Sequence, residues 1–421
     1  MNAYLLRARL SAIGLLLSLS PAGMTQDQPT IEEIVITATL MSSDRNRMSS
    51  DSLTAADLSR RSAIHFEDVL TTLPNVAASA GASRQRFFQI RGIGERSQFI
   101  EPINPSVVIL QDGVDISGIG GALTTFDTAQ IDVLRGPQGT LMGAGALAGL
   151  INIQNNTPAE TNFTDLALGL ENFGGRRSSI VVNRPVSPTL SARIAHQNYH
   201  SNGWVDNTYL GVNDTNNRNE TTTRLSIRQR YDRNTIDIGV SRIDVANGYD
   251  AFSLDNTRET LSDNPGEDSL ALNAGFVRWN HEGDRYESQL QASSVAADAR
   301  YSYDEDWSFV GIAPFWEYSS FDAYDRDVER QTLEWRLRPV TSVDTQWTVG
   351  LYVRDDSQRL KRQYTYLAAP FESRNSTQTW AAFGQASQQI TDQLVLTAGA
   401  RAEYRDVDYR DSAVVDTTFS D

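Results

Sequence analysis

The sequence predicts two structural units in series: a small mixed α+β domain, then a run of antiparallel β-strands of membrane-spanning length. Three observations carry this reading. Residues 126–155 set two short β-type runs, 131–134 and 150–153, around a core holding Gly136, Gly139, Gly143, Gly145 and Gly149. From Thr161 onward, strand-length segments alternate apolar and polar side chains. The connections between those segments are short and long by turns. A chain of 421 residues also exceeds the usual size of one hydrophobic core.

Composition narrows the function classes. Hydrophobic residues make up 40% of the chain and mean hydropathy is −0.39. Beyond the N-terminus no apolar run approaches the roughly 18 residues of a transmembrane helix. A β-barrel stays open, because its alternating strands keep mean hydropathy low. A formal net charge of −16 argues against a nucleic-acid partner, which calls for basic patches. Zero cysteines remove disulfides, thiolate metal sites, thiol nucleophiles and a lipid-bearing cysteine.

Taken in order, residues 1–26 read as a secretory signal peptide. Arg7 and Arg9 give the positive n-region, residues 10–19 the apolar h-region, and Pro21, Ala22 and Gly23 the small residues near cleavage. A β-branched stretch follows, Glu33, Ile34, Val35, Ile36, Thr37, Ala38 and Thr39, ahead of a polar run at 41–51. Residues 52–72, with Leu53, Leu58, Ile64, Val69 and Leu70, predict a helix that Pro74 ends. Residues 87–91 and 107–111 predict strands that join 131–134 and 150–153. The glycine core permits tight turns and close backbone approach. Its GxGxxxG spacing over Gly143, Gly145 and Gly149, with no Gly-Lys-Ser/Thr after it, departs from a nucleotide-binding loop.

Four motifs stand in sequence: Asp68-Val-Leu-Thr-Thr-Leu-Pro-Asn-Val76, Phe88-Gln-Ile-Arg-Gly-Ile-Gly94, Val107-Val-Ile-Leu-Gln-Asp-Gly-Val114, and Val133-Leu-Arg-Gly-Pro-Gln-Gly-Thr-Leu141 with its small-residue run and Ile151-Asn-Ile153. In this order they resemble the plug domain of TonB-dependent outer-membrane receptors. The resemblance implies a plug at 52–157, with Arg91, Gly92, Asp112, Gly113, Arg135, Gly136, Pro137 and Gly139 at its motif positions. It makes 27–51 a TonB box and linker. The box at 33–39 would pair with a TonB-type energy-transducing periplasmic protein, as an extended peptide does when it joins a sheet edge. It turns loops 95–105 and 115–125 outward as a chamber floor, where Arg96, Gln98, Glu101 and Ser117 would meet a small-molecule ligand. It places the chain in the outer membrane of a Gram-negative bacterium, in contact with outer-membrane lipid. The implied function is active import of a scarce ligand, by default an iron–siderophore chelate; haem, cobalamin or an oligosaccharide fit as well. No cofactor is implied.

Residues 157–160 form a linker, and the partial barrel occupies 161–421. Leu225, Ile227 and Tyr231 oppose Arg224, Ser226, Arg228 and Arg230; Leu333, Trp335 and Leu337 oppose Glu334, Arg336 and Arg338. Trp347, Val349, Leu351 and Val353 oppose Thr348, Tyr352 and Arg354, and Leu394, Leu396, Ala398, Ala400 and Tyr404 oppose Thr397, Arg401, Glu403 and Arg405. Such a strand meets lipid on one side and water on the other, and arginines on one face suit a wide wet lumen. Residues 381–387 are ambiguous in phase. Short turns at 184–189, 232–234, 282–284, 339–344 and 390–392 alternate with long polar segments at 201–220, 245–268, 297–326 and 355–377. That is the pattern of periplasmic turns and external loops. The count is about eleven strands between 163 and 408, each near spanning length.

The resemblance implies a barrel of about 22 strands, so the sequence predicts half of one. An open half-barrel leaves unpaired edges at membrane depth. The chain therefore reads as the N-terminal half of a receptor, with a truncated, non-transporting fragment as the alternative. A soluble β-sheet binding module would leave the plug motifs unexplained.

Little in the sequence points to bond chemistry. No nucleophile elbow or zinc-hydrolase motif occurs, so the chain does not read as an enzyme. His196 and His200 share one face of a strand, two residue pairs apart, and read as a polar strand end rather than a metal pair. The acidic run at 303–327 lacks the ligand spacing of a calcium loop and reads as a solvated surface, while its aromatics could meet a planar ligand. Trp279, Trp335, Trp347 and Trp380 fall near strand ends, as interfacial girdle residues do.

Overall fold

A computed structural model describes residues 49–78, 83–96, 104–119, 124–340, 345–391 and 393–412. The leader at 1–26, the segment at 33–39, Gln98 and Glu101 lie outside the described residues. The N-terminal domain is built on a five-stranded sheet of β1 (Ser49–Thr54), β4 (Val107–Gln111), β5 (Val114–Asp115), β6 (Thr128–Arg135) and β7 (Gly149–Asn155), in the order β1-β6-β7-β4-β5. A small hairpin of β2 (Val76–Ala78) and β3 (Phe88–Ile90) lies apart from it. β4 and β7 run parallel, and the other pairs of the main sheet are antiparallel. Val133, Leu134, Leu150 and Ile151 are wholly buried, so these strands read as near-continuous apolar runs rather than alternating ones.

Residues 52–72 do not form the single helix expected of them. Residues up to Thr54 belong to β1, where Leu53 opposes Ile131. A one-and-a-half-turn helix, α1 (Ala55–Arg60), follows, and then a 3-10 helix over Phe66–Thr72. Two aspartates divide the segment. Asp57 closes a capping box with Thr54, and Asp68 accepts from the amides of Ile64 and His65 at 2.9 Å each. Each cap satisfies otherwise orphaned helix-start amides and begins a new turn.

Among the described residues the second unit is one antiparallel sheet of eleven strands, each paired to the next in chain order. They are β8 (Phe163–Leu170), β9 (Arg176–Ser187), β10 (Leu190–Ser201), β12 (Arg218–Tyr231), β13 (Asn234–Tyr249), β15 (Gly266–Glu282), β16 (Tyr286–Asp304), β17 (Phe321–Pro339), β18 (Thr345–Tyr364), β19 (Phe371–Thr391) and β20 (Leu394–Asp411). The two-residue strands β11 (Asp206–Asn207) and β14 (Glu259–Thr260) pair in parallel and tie two long connections together.

The eleven strands match the number read from the pattern, but their lengths do not. β16 to β19 run 19 to 21 residues, about twice what a bilayer needs. Residues 355–377, expected as a long loop, are mostly strand, and only 365–370 connect β18 to β19. The reason lies in the outer halves of these strands, where both faces are polar. Asp355, Ser357 and Arg359 alternate there with Asp356 and Gln358. Backbone pairing continues beyond the apolar zone with no hydrophobic signal to mark it.

The acidic run at 303–327 is also not simply solvated. Asp304, Asp306 and Asp322 are buried. Asp306 accepts from Ser308 Oγ at 2.9 Å and from the Ser320 amide at 2.8 Å, while Arg362 holds Asp322 at 2.8 and 2.9 Å. The aromatics pack on one another: Trp307 stacks on Phe252 with ring centroids 4.7 Å apart, and Phe309 on Tyr209 at 4.4 Å.

Candidate functional site

The faces of the sheet divide as the alternation predicts. Leu225, Leu333, Leu351, Leu394 and Leu396 are exposed on one side. On the other, arginines reach the N-terminal domain from six strands. From the expected water face, Arg224 donates to the Phe126 carbonyl, Arg354 Nη1 to Asp115 Oδ2 at 3.0 Å, Arg401 Nη1 to the Leu141 carbonyl at 3.3 Å, and Arg405 to Asn104. Arg193, Arg278 and Arg330 join them. Residues 381–387 resolve their phase here: Ala381 and Phe383 are buried on the arginine face, and the Arg401 guanidinium lies 5.5 Å from the Phe383 ring centroid.

Asp115 is the most heavily engaged of these contacts. Its carboxylate accepts from Arg330 Nη1 and Arg354 Nη1, each at 3.0 Å, and from the Ser117 amide at 2.9 Å. Asp356 on β18 holds the same two guanidiniums at 2.7 and 3.1 Å. Two arginines and two aspartates thus close a buried, charge-balanced square across the boundary. Burial alone pushes the Asp115 carboxyl up, but Arg330, Arg354 and Ser117 outweigh it and hold it below the ordinary carboxylate value.

A second cluster lies on β12 to β15. The domain's Arg84 donates to Glu220 at 3.0 Å, and His65 Nε2 lies 2.6 Å from the same carboxylate. Asp268 accepts from Ser83 Oγ at 2.7 Å and from the Arg84 amide at 2.9 Å. Burial lowers the Arg84 guanidinium, but Glu220 and Glu67 bring it above its usual value.

The boundary is not wet throughout. Ile243, Val245, Leu270, Leu272 and Val295 face the domain and join one apolar cluster with Val114, Ile116 and Ile119. This dry patch departs from the expected water-filled face. β15 could have revealed it, since Leu270 and Leu272 stand on one side of the strand and Val277 on the other.

The motif positions mostly make turns. Asp112 and Gly113 have φ of 52° and 80° and close the hairpin from β4 to β5 with a two-residue loop. The tip docks on the wall, where Arg278 and Gln291 both donate to the Asp112 carbonyl. Arg91 and Gly92 have φ of 54° and 78° and are exposed. Arg135 turns inward, donating to the Pro74 carbonyl at 2.7 and 3.0 Å and pairing with Asp51. Gly136 has a φ of 100°, and Pro137 is exposed beside it. Gly139 needs no positive φ: it opens a short helix, α2 (Gly139–Met142), with open space around it.

Of the residues expected on the chamber floor, Arg96 is exposed and donates to the Gly92 carbonyl at 3.1 Å. Ser117 is not on an open floor. It is buried, its Oγ accepts from the Ile109 amide at 2.9 Å, and its carbonyl accepts from Arg330. His196 bonds Thr223 and Asn198 at 2.8 Å each. Among the described residues no cluster of three His, Asp or Glu side chains is placed to hold a metal.

Residues 43–150 match the family model of the TonB-dependent Receptor Plug Domain. This stretch is a TonB-dependent receptor plug domain, and the chain as a whole is similar to TonB-dependent outer-membrane receptors. The pesticin receptor of Yersinia enterocolitica is 23% identical over 403 residues, covering 89% of this chain and 56% of that one. In fold, this chain resembles the ferric yersiniabactin uptake receptor FyuA of Yersinia pestis, with a TM-score of 0.71 at 17% identity, over 86% of this chain and 61% of that one. BauA, the ferric preacinetobactin receptor of Acinetobacter baumannii, gives a TM-score of 0.67 at 14% identity, over 92% and 60%. The chain spans a little over half the length of the relatives it matches. The N-terminal domain is thus the plug, and the eleven-stranded sheet has the fold of the neighbours' wall.

Proposed function

We propose that this receptor takes part in TonB-dependent import of an iron-chelate ligand across the outer membrane, with the plug gating the barrel. The observation that carries the proposal is the plug–wall boundary, which arginines on six strands cross to the plug. Each of these polar links can be exchanged for water, so the plug can be held firmly and still be moved. The relatives named for ferric chelates, FyuA and BauA, support the ligand class. In this reading the ligand settles on the outer side of the plug, near the exposed Arg96. The energy-transducing protein draws on residues 33–39, and the ion pairs around Asp115 and Glu220 give way to water.

The strands β8 and β20 each pair on one side only among the described residues. A bilayer does not tolerate open edges, so we assign closure of the barrel to further strands. The test is uptake of a panel of radiolabelled ferric chelates by iron-limited cells making the receptor. One chelate should bind and enter, and deleting residues 33–39 should abolish entry while leaving binding intact. Entry that survives the deletion, or failure to bind any ferric chelate while binding cobalamin or an oligosaccharide, would sink the reading.

A further inference from the structure

Arg224 on β12 is buried against the plug. One guanidinium nitrogen donates to the Phe126 carbonyl, while Nε and Nη2 have no hydrogen-bond partner among the described residues. These two nitrogens form the side edge of the guanidinium, whose parallel N–H bonds fit the two oxygens of a carboxylate.

Two nearby arginines use that same edge. Arg193 holds Asp127 through Nε at 3.0 Å and Nη2 at 2.5 Å, and Arg228 holds Asp237 at 2.6 and 3.1 Å. The acids nearest in charge to Arg224 are Asp127 and Asp112. Asp127 is taken by Arg193, and the Asp112 oxygens accept from the Asn155 amide at 2.9 Å and from its side chain at 2.6 Å. The Asp112 carboxylate is thus turned to Asn155 and that of Asp127 to Arg193, and neither closes the Arg224 fork. A cavity of about 50 Å³ lies beside Arg224, bounded by Asp127, Asn155, Thr157 and Phe276. That is more room than one water needs, enough for a small planar carboxylate.

We propose that Arg224 is a binding site for a small carboxylate, set in the boundary between plug and wall. The bound anion completes the fork and adds a removable link between β12 and the Phe126–Asp127 turn of the plug. The inference does not depend on the imported ligand, and its test requires no uptake.

The receptor is extracted from outer membranes, and its thermal unfolding is followed in sodium formate and in sodium chloride at equal ionic strength. Formate should raise the midpoint above chloride, saturably with concentration, and Arg224→Gln should abolish the difference. A crystal structure of the wild-type receptor grown in formate should show a planar two-oxygen anion on Nε and Nη2. Equal midpoints in the two salts would overturn the proposal. So would water on the fork, Asp112 or Asp127 turned onto it, or a formate effect that survives the substitution. If Arg224→Gln does not fold, the wild-type salt comparison and the crystal structure still decide.

Discussion

Asp115 shows how much one carboxylate can govern in this boundary. It is buried and shared by two arginines from different strands, and its removal leaves Arg330 and Arg354 with Asp356 alone. Breaking a buried pair costs more than forming it gains, because the remaining charge is stranded. Asp115→Asn should therefore lower the opening free energy of the plug edge by about 3–5 kcal/mol, read by amide exchange at Val114 and Ile116. The pH dependence follows from the lowered carboxyl. A group held below its unfolded value stabilises fully above that value, about 4 for Asp, and loses the contribution as pH falls through the folded value. Exchange protection at these amides should stay level from pH 7 to 5 and fall only below about 4. None of this was legible in the sequence. Arg224, Arg354, Arg401 and Arg405 stood out by alternation, but their plug partners include carbonyls of Phe126 and Leu141, which no side-chain pattern reveals. Arg135 was legible as a motif residue, yet its partner is the Pro74 carbonyl within the plug.

Among elements, the glycine core separates positions where glycine is required from those where it is not. Gly149 begins β7 with a φ of +154°, and a Cβ there would lie 2.2 Å from the Leu134 carbonyl oxygen and 2.8 Å from Ile90 Cδ1. Gly149→Ala should destabilise the plug by ~3 kcal/mol, seen as a lower urea midpoint. Gly139 sits in α2 with nothing near it, and Gly139→Ala should be neutral or gain up to ~1 kcal/mol in helix propensity. The same spacing thus conceals two different demands, since backbone conformation is not written in glycine identity. Strands were legible where one face is apolar: β4 was read at its observed limits, and the eleven wall strands were counted correctly. They were misjudged where both faces are polar, as in the outer half of β18, and α1 was merged with its neighbours because two caps were overlooked.

For the molecule as a whole, strand direction constrains how the barrel closes. β8 and β20 are the first and eleventh members of an alternating antiparallel series, so they run parallel to each other. A second copy inserted in the same orientation would bring its β8 against β20 as a parallel pair. Parallel neighbours require long crossovers in a single chain and pair slightly less well per residue. An odd number of added antiparallel strands instead gives two antiparallel seams and an even total. These strands would extend the polypeptide or come from a partner chain of complementary topology. The mass of the mature polypeptide in the outer membranes of its source separates these routes. A mass well above the 46.6 kDa of this chain, together with heat-modifiable migration, is the expected outcome and would put the closing strands on the same polypeptide. A mass equal to this chain less its leader would exclude that route. Crosslinking between cysteines introduced on β8 and β20 would then decide: a link between two copies would overturn the antiparallel argument, and capture of a second, different chain at both edges would uphold it.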